Sequence, residues 1–205
     1  MELRTSGRLI LASLSPRRME LLKLIGLEFE VMPSGIDETF RQGETPQEHV
    51  LRLAQEKALA VANRHADCWV LGADTTVVAD GEVLGKPGSV ARAKAMLALL
   101  SGREHDVYTG FSIARREQGL LLREVVGSKV LFRQMTAQEM AWYAASAEPY
   151  DKAGGYAVQG LAALFIREIR GSYTNVMGLP LCEVVDALKR LSAIGFSGGY
   201  HECGR

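Results

Sequence analysis

The sequence predicts an α/β protein built on a mixed, twisted sheet with flanking helices. Short apolar and β-branched runs alternate with segments of helical period, which supplies strands able to pair in parallel across helices. Asp80-Gly81 is a strong hairpin signal, and strand-like runs at 107–114 and 120–132 form a second hairpin, so antiparallel pairing is expected too. With 47% hydrophobic side chains over 205 residues the chain can bury a real core. No Pro-rich, Ser-rich or like-charged stretch marks a linker, so residues 1–205 read as one unit.

Residues 9–12 form an apolar run that stops at Ser13-Leu14-Ser15-Pro16, a buried strand feeding a turn. Ser15 suits a helix N-cap and Pro16 the first helical position; Leu21, Leu22 and Ile25 make an apolar stripe, and Gly26 can end the helix. Residues 29–32 read as a second strand and the polar, glycine-punctuated stretch 34–43 as a loop. Thr45-Pro46-Gln47-Glu48 is a capping box, and Val50, Leu53, Ala54, Ala58 and Val61 give one apolar face to a helix that carries Glu56 and Lys57. Residues 69–71 and 75–79 are strand-like but interrupted by Gly72-Ala73-Asp74, which puts Asp74 mid-strand or at a bulge. A helix is expected over 90–100, ending at Gly102, and another behind the cap Thr136-Ala137-Gln138-Glu139. A loop over 148–155, strands near 156–158 and 164–169, an amphipathic helix over 181–194 and a loose glycine-rich tail at 195–205 complete the chain.

The 24 basic and 24 acidic residues cancel, so there is no global positive field of the kind that holds a nucleic-acid polymer. An anionic ligand has to be held by a local cluster. Cys68, Cys182 and Cys203 are odd in number and lack C-x-x-C spacing, which argues against a disulfide framework or a Cys-rich zinc site; reduced, mostly buried thiols are expected. His49, His65, His105 and His201 show neither H-x-x-x-H nor H-E-x-x-H spacing, so structural roles are expected for them. There is no G-x-S-x-G elbow and no Walker A sequence. No basic start precedes a long apolar run, and no stretch reaches the ~20 apolar residues of a membrane span, so the expected compartment is the cytoplasm and no membrane partner is foreseen.

Four constellations could carry chemistry. At Ser13-x-Ser15-Pro16-Arg17-Arg18 a strand-to-helix junction gathers hydroxyls, backbone N–H groups and two guanidiniums, an anion site in principle. The plainer reading is a helix cap followed by surface arginines. Gly72-Ala73-Asp74-Thr75-Thr76, followed by Gly85-Lys86-Pro87, sets a carboxylate in an apolar strand, where burial is costly unless it is paired or bound to a metal. A partly solvated Asp74 paired with Lys86 would satisfy the same cost. Ser34-Gly35-Ile36-Asp37-Glu38 with Glu56-Lys57 adds carboxylates and a cation, or else surface charge. Asp151-Lys152-Ala153-Gly154-Gly155-Tyr156 with Gln159-Gly160 offers an amide that can meet the donor and acceptor edges of a pyrimidine, although most glutamines only solvate a loop.

In order along the chain, the segments SLSPRR, SGIDE, QEK, GADTTVVADGEVLGKP, SGREHDVYTG, EPYDKAGGYAVQG and GSYTNVMGLPL resemble the Maf family of nucleotide pyrophosphatases, from Leu11 through Leu181. Each piece is modest and the ordered set is highly specific. The resemblance implies two α/β lobes around a central cleft, hydrolysis between the α and β phosphates of a nucleoside triphosphate, a divalent metal (Mg²⁺ or Mn²⁺) and a homodimer. Carried onto matching positions, it implies Asp74 as the catalytic carboxylate, with Lys57 and Lys86 beside it, and Ser13, Arg17, Arg18 and Glu38 in the cleft. Substrate choice falls on Arg17, Thr75 and Gln159, and the segment 151–160 looks like the branch that prefers dTTP and UTP over 7-methylated GTP.

A triphosphate brings about four negative charges, so attack by water requires those charges to be neutralised and the leaving pyrophosphate to be stabilised. Arg17, Arg18, Lys57 and Lys86 are the candidates for that work, and Glu38 and Asp74 the candidates to hold the metal. An ordinary aspartate, with a pKa of about 3.9, is a weak base at neutral pH, so Asp74 needs desolvation or a metal-activated water to act as one. Two rival readings accompany this one: a nucleotide-binding regulator of cell division in which turnover is incidental, and an enzyme that removes modified or non-canonical nucleotides.

Overall fold

In the computed structural model, which describes residues 2–197, the chain runs β1 (Glu2–Thr5), β2 (Leu9–Leu11), α1 (Pro16–Leu24), β3 (Glu30–Val31), α2 (Pro46–Ala62), β4 (Trp69–Ala79), β5 (Glu82–Leu84) and α3 (Val90–Leu100). It continues through β6 (Glu104–Arg115), β7 (Leu120–Phe132), α4 (Ala137–Ala144), β8 (Ile166–Arg170), α5 (Tyr173–Met177), α6 (Leu181–Arg190) and β9 (Ile194–Ser197). The main sheet has the order β3-β2-β4-β6-β7-β8, with β5 folded back on β4. β2 pairs in parallel with β3 and β4; the other pairings are antiparallel. This is the mixed α/β sheet that the sequence predicts.

The interruption foreseen at Gly72-Ala73-Asp74 does not occur: β4 is continuous and pairs residue for residue with β6, Gly72 opposite Ser112 and Asp74 opposite Gly110. Gly72 has another purpose. A Cβ there would lie 2.4 Å from the Ala54 carbonyl oxygen, and one at Gly110 would lie 2.4 Å from that of Val50. These two glycines let the backbone of α2 press against the sheet across β4 and β6. Ala54 and Ala58, fully buried, keep the helix side of that contact small. The seat fixes the height of α2 and with it the position of Lys57 above Asp74.

β4 also joins separate parts of the core. Trp69, Leu71 and Ala73 belong to an apolar cluster with Leu22, Phe111 and Leu188, whereas Val77 and Ala79 belong to one with Leu97, Phe132, Tyr143 and Phe165. Asp74 and Thr75 lie where the strand leaves one cluster and enters the other, so polar side chains are carried at the junction between two lobes. A third cluster, with Ile10, Val61 and Val70, holds α2 to the opposite face.

Local signals held at several element ends. Both capping boxes form, Thr45 with Glu48 and Thr136 with Glu139. Asp80 and Gly81 adopt φ of 49° and 78°, the left-handed pair that turns β4 into β5. Ser15 occupies the N-cap of α1, but its side chain makes no capping bond; the Ser13 hydroxyl accepts from the Ser15 N–H instead, at 3.2 Å.

Other expectations need correction. Residues 156–158 are not a strand: Tyr156 is extended and packs against the second cluster, and the chain bends at Val158. The last helix stops at Arg190, and Ile194–Ser197 form β9, which pairs antiparallel with the unforeseen β1. Residues 195–197 of the expected loose tail are therefore strand, while 198–205 lie outside the described residues. Cys68 is buried as expected, Cys182 is exposed, and Cys203 falls outside the described residues.

Candidate active site

The two lobes enclose a cleft of about 720 Å³, within the range of small-molecule sites. Ser13, Arg17, Arg18, Glu38, Lys57, Asp74, Thr75 and Lys86 all line it. Gln159 does not: it is exposed, and its neighbour Val158 reaches the cleft in its place.

At the floor, the Lys57 ammonium donates to Asp74 Oδ1 at 2.8 Å and lies 2.7 Å from Glu38 Oε1. Lys57 and the Asp74 side chain are buried, while Glu38 is more than half exposed on the loop between β3 and α2. Burial opposes ionisation of Glu38, but the hydrogen bond and charge of Lys57, aided by Lys86 and Arg18, outweigh it and hold the carboxyl below the usual range. The alternative pairing of Asp74 with Lys86 is not what forms. Lys86 lies exposed at the rim and makes no ion pair among the described residues.

Consecutive residues of a strand face opposite ways, and the contacts of β4 show it. Asp74 turns toward α2 and Lys57, whereas Thr75 turns toward Arg18 and bonds the Thr109 hydroxyl at 2.9 Å. Arg18 is buried and donates to the Gly178 carbonyl at 2.7 Å, the Ala73 carbonyl at 2.8 Å, Ser13 Oγ at 3.1 Å and Thr75 Oγ1 at 3.1 Å. Burial pushes this guanidinium below its ordinary pKa, countered in part by the Asp74 charge. Arg17, one residue earlier, stays partly exposed and lies 3.8 Å from Asp151 of the other lobe. Glu56 takes no part: it pairs with Arg41 and Arg52.

Sequence reasoning missed several lining residues. His49, Leu53 and Lys57 recur every four residues, one stripe of α2 turned to the cleft. That spacing was legible, but a histidine and a leucine at helical period read as core. Phe40 stacks on His49 with ring centroids 3.9 Å apart, a contact between a loop and a helix that no local pattern announces.

Fold and site together define a two-lobed α/β protein whose charged cleft suits a polyanionic ligand. The chain belongs to the Maf family: the family model described as "Maf-like protein" matches residues 8–191. A protein of Syntrophus aciditrophicus called "dTTP/UTP pyrophosphatase" is 59% identical over 96% of each chain. One of the same name from Geotalea uraniireducens is 48% identical over 94% of this chain and 99% of its own. Among solved structures, a HAM1 protein from Coxiella burnetii aligns over 90% of this chain and 99% of its own, at 16% identity and a TM-score of 0.46. Among the described residues no helix is long and apolar enough to cross a membrane.

Proposed function

We propose that this protein is a nucleoside triphosphate pyrophosphatase that hydrolyses dTTP and UTP to the monophosphate and pyrophosphate. The observation that carries the reading is the floor of the cleft, where Glu38 and Asp74 share Lys57 beneath a rim that presents Arg17 and Lys86. The names of relatives sharing 59% and 48% of its residues support the choice of nucleotide.

In this reading Arg17 and Lys86 receive phosphate oxygens as the nucleotide enters, because they are the cations of the lining most open to solvent. Lys57 holds Asp74 by one oxygen, so the carboxylate is oriented before the substrate arrives. Water attacks the α-phosphorus, the bond to the bridging oxygen breaks, and pyrophosphate leaves with the bonding pair. Asp74 takes the proton of that water through Oδ2, for which no hydrogen-bond donor stands among the described residues.

Mg²⁺ or Mn²⁺ is the proposed cofactor, and the donor set fits it. Glu38 and Asp74 flank the Lys57 ammonium, each giving it one oxygen and keeping the other without a donor among the described residues, and a hard cation of this kind is commonly held by one or two carboxylates with substrate phosphates completing its shell. When bound, such an ion neutralises phosphate charge and makes a water more acidic. Glu38 and Asp74 would hold it. A homodimer, which the resemblance implies, and the cytoplasmic location and single folding unit expected from the sequence belong to the same proposal; sedimentation, fractionation and a single unfolding transition would test them.

The deciding experiment incubates the purified protein with Mg²⁺ or Mn²⁺ and a panel of nucleoside triphosphates, common and modified, and separates the products. Monophosphate and pyrophosphate from dTTP and UTP are expected. Diphosphate and phosphate would move the cut and overturn the mechanism. Binding without turnover would transfer the reading to a nucleotide-sensing regulator, and faster turnover of a modified nucleotide would make that the substrate.

A further inference from the structure

Arg17 and Arg18 are adjacent arginines in one anion-binding motif, yet the structure gives them different employment. Arg18 donates four hydrogen bonds to protein acceptors on three separate segments: Ser13 Oγ in the loop before α1, the Ala73 carbonyl and Thr75 Oγ1 on β4, and the Gly178 carbonyl after α5. A guanidinium carries few N–H groups beyond these four, so little of the fork is left for a phosphate. The acceptors are also purpose-built. Gly178 has φ of 111°, a left-handed conformation that suits glycine and turns its carbonyl toward Arg18 and Thr75. Thr75 in turn bonds Thr109 on β6, and Thr109 donates to the Asn175 carbonyl of α5 at 3.1 Å. Thr109 and Asn175 are completely buried and take no part in the cleft lining, so from Thr75 onward the network runs behind the cleft wall, into the sheet interior.

We infer that Arg18 is a positioning residue and not a phosphate ligand: it clamps β4 on both sides of Asp74 and ties that stretch to the loops before α1 and after α5. Ala73 and Thr75 flank Asp74 directly, and both are gripped by the same planar group. On the other face of the strand Lys57 holds the carboxylate itself. The carboxylate is thereby fixed in direction by Lys57 and in position by Arg18. Lysine at position 18 would keep the charge but not the fork, so it could not hold Ala73, Thr75, Ser13 and Gly178 together.

This inference rests on the pyrophosphatase reading, and its test separates the two. Binding of α,β-methylene-dUTP, which resists cleavage at the bond in question, is measured by calorimetry alongside kcat and KM for UTP in wild type, Arg18→Lys and Arg17→Lys. Arg18→Lys is expected to lower kcat about 100-fold, the usual cost of a small misplacement of a reacting group. Its affinity for the analogue should stay within about twofold, the pattern of an interaction that acts only in the transition state. Arg17→Lys is expected to weaken analogue binding about tenfold. Affinity lost in Arg18→Lys as steeply as in Arg17→Lys would make Arg18 a phosphate ligand and overturn the inference.

Should Arg18→Lys fail to give a cooperative thermal transition, Thr109→Val decides, because it removes the bonds of Thr109 to Thr75 and to the Asn175 carbonyl, behind the cleft. A lower kcat with analogue affinity kept supports the clamp; an unchanged kcat or a lost affinity overturns it. A wild-type protein that binds the analogue but hydrolyses nothing refutes the proposed reaction alone, since preserved affinity in Arg18→Lys beside lost affinity in Arg17→Lys still distinguishes the two arginines.

Discussion

The cations of the cleft divide between floor and rim, and the division follows burial. Arg18 and Lys57 at the floor are buried and already bonded to protein, whereas Arg17 and Lys86 nearer the rim keep access to solvent. Removing a charge from water costs several kcal/mol, so a cation at the floor persists only where protein acceptors replace the water. Cations at the rim pay no such penalty and can exchange water for a ligand. The floor is therefore organised in advance, and in the proposed reading the rim is where charge remains available to the substrate.

The largest effect expected from breaking this division lies at the floor. Asp74→Asn keeps the shape of the side chain and is expected to keep the fold, but to lower turnover about 10²- to 10⁴-fold. Activity near wild type would remove Asp74 from the reaction. Lys57→Met tests the same floor for stability, because it leaves the buried Asp74 without its partner and strips a partner from Glu38. A loss of about 2 to 4 kcal/mol is expected in urea unfolding. A change under about 0.5 kcal/mol would show that the pair contributes nothing to the folded state.

A buried polar group without a charged partner sharpens the contrast. His105, in the second lobe, bonds Tyr156 Oη at 2.7 Å through Nε2, while its Nδ1 has no partner. Burial lowers its pKa to about 4. Below pH 6.5 the unfolded chain takes up a proton that the folded protein refuses until about pH 4, so stability declines as the pH falls through that window. The full decline from this group is about 3 kcal/mol. His105→Phe should flatten the pH dependence of unfolding between those limits, and an unaltered slope would assign it to other groups.

The sequence made the elements legible better than the contacts. Apolar periodicity and capping boxes locate α2 and α4, and Asp80-Gly81 locates a hairpin, because each signal is local. Gly72 misled for a physical reason: a glycine inside a strand pattern signals an irregularity or a close approach, and only the tertiary packing of α2 tells which. The strand β9 was hidden because its partner β1 lies at the other end of the chain. In the site, the ordered motifs named residues that the fold gathers in one cleft, Gln159 excepted, but two arginines side by side look alike until burial and acceptors are known. Nothing local in Thr109 or Asn175 announces the buried network.

At the rim the expected effects are smaller and fall on binding. Arg17→Ala and Lys86→Ala should each raise KM about tenfold, the value of one charge-assisted hydrogen bond at a partly solvated site. Stability should change by less than about 0.5 kcal/mol, as neither side chain supports the core. A large stability loss with KM unchanged would place these residues with the floor.

Gln159 gives the smallest effect and the finest test. It is exposed and outside the cleft lining, so any contact with the base would be made by an amide reaching in from the loop beside Val158. A single neutral hydrogen bond of that kind is worth about a threefold change in the preference for UTP over CTP when Gln159→Ala is compared with wild type. Unchanged ratios would leave selection to Arg17 and Thr75, which already lie in the lining. A change of a hundredfold would instead require a desolvated Gln159 in the bound state, and so a loop at 158–160 that closes over the base.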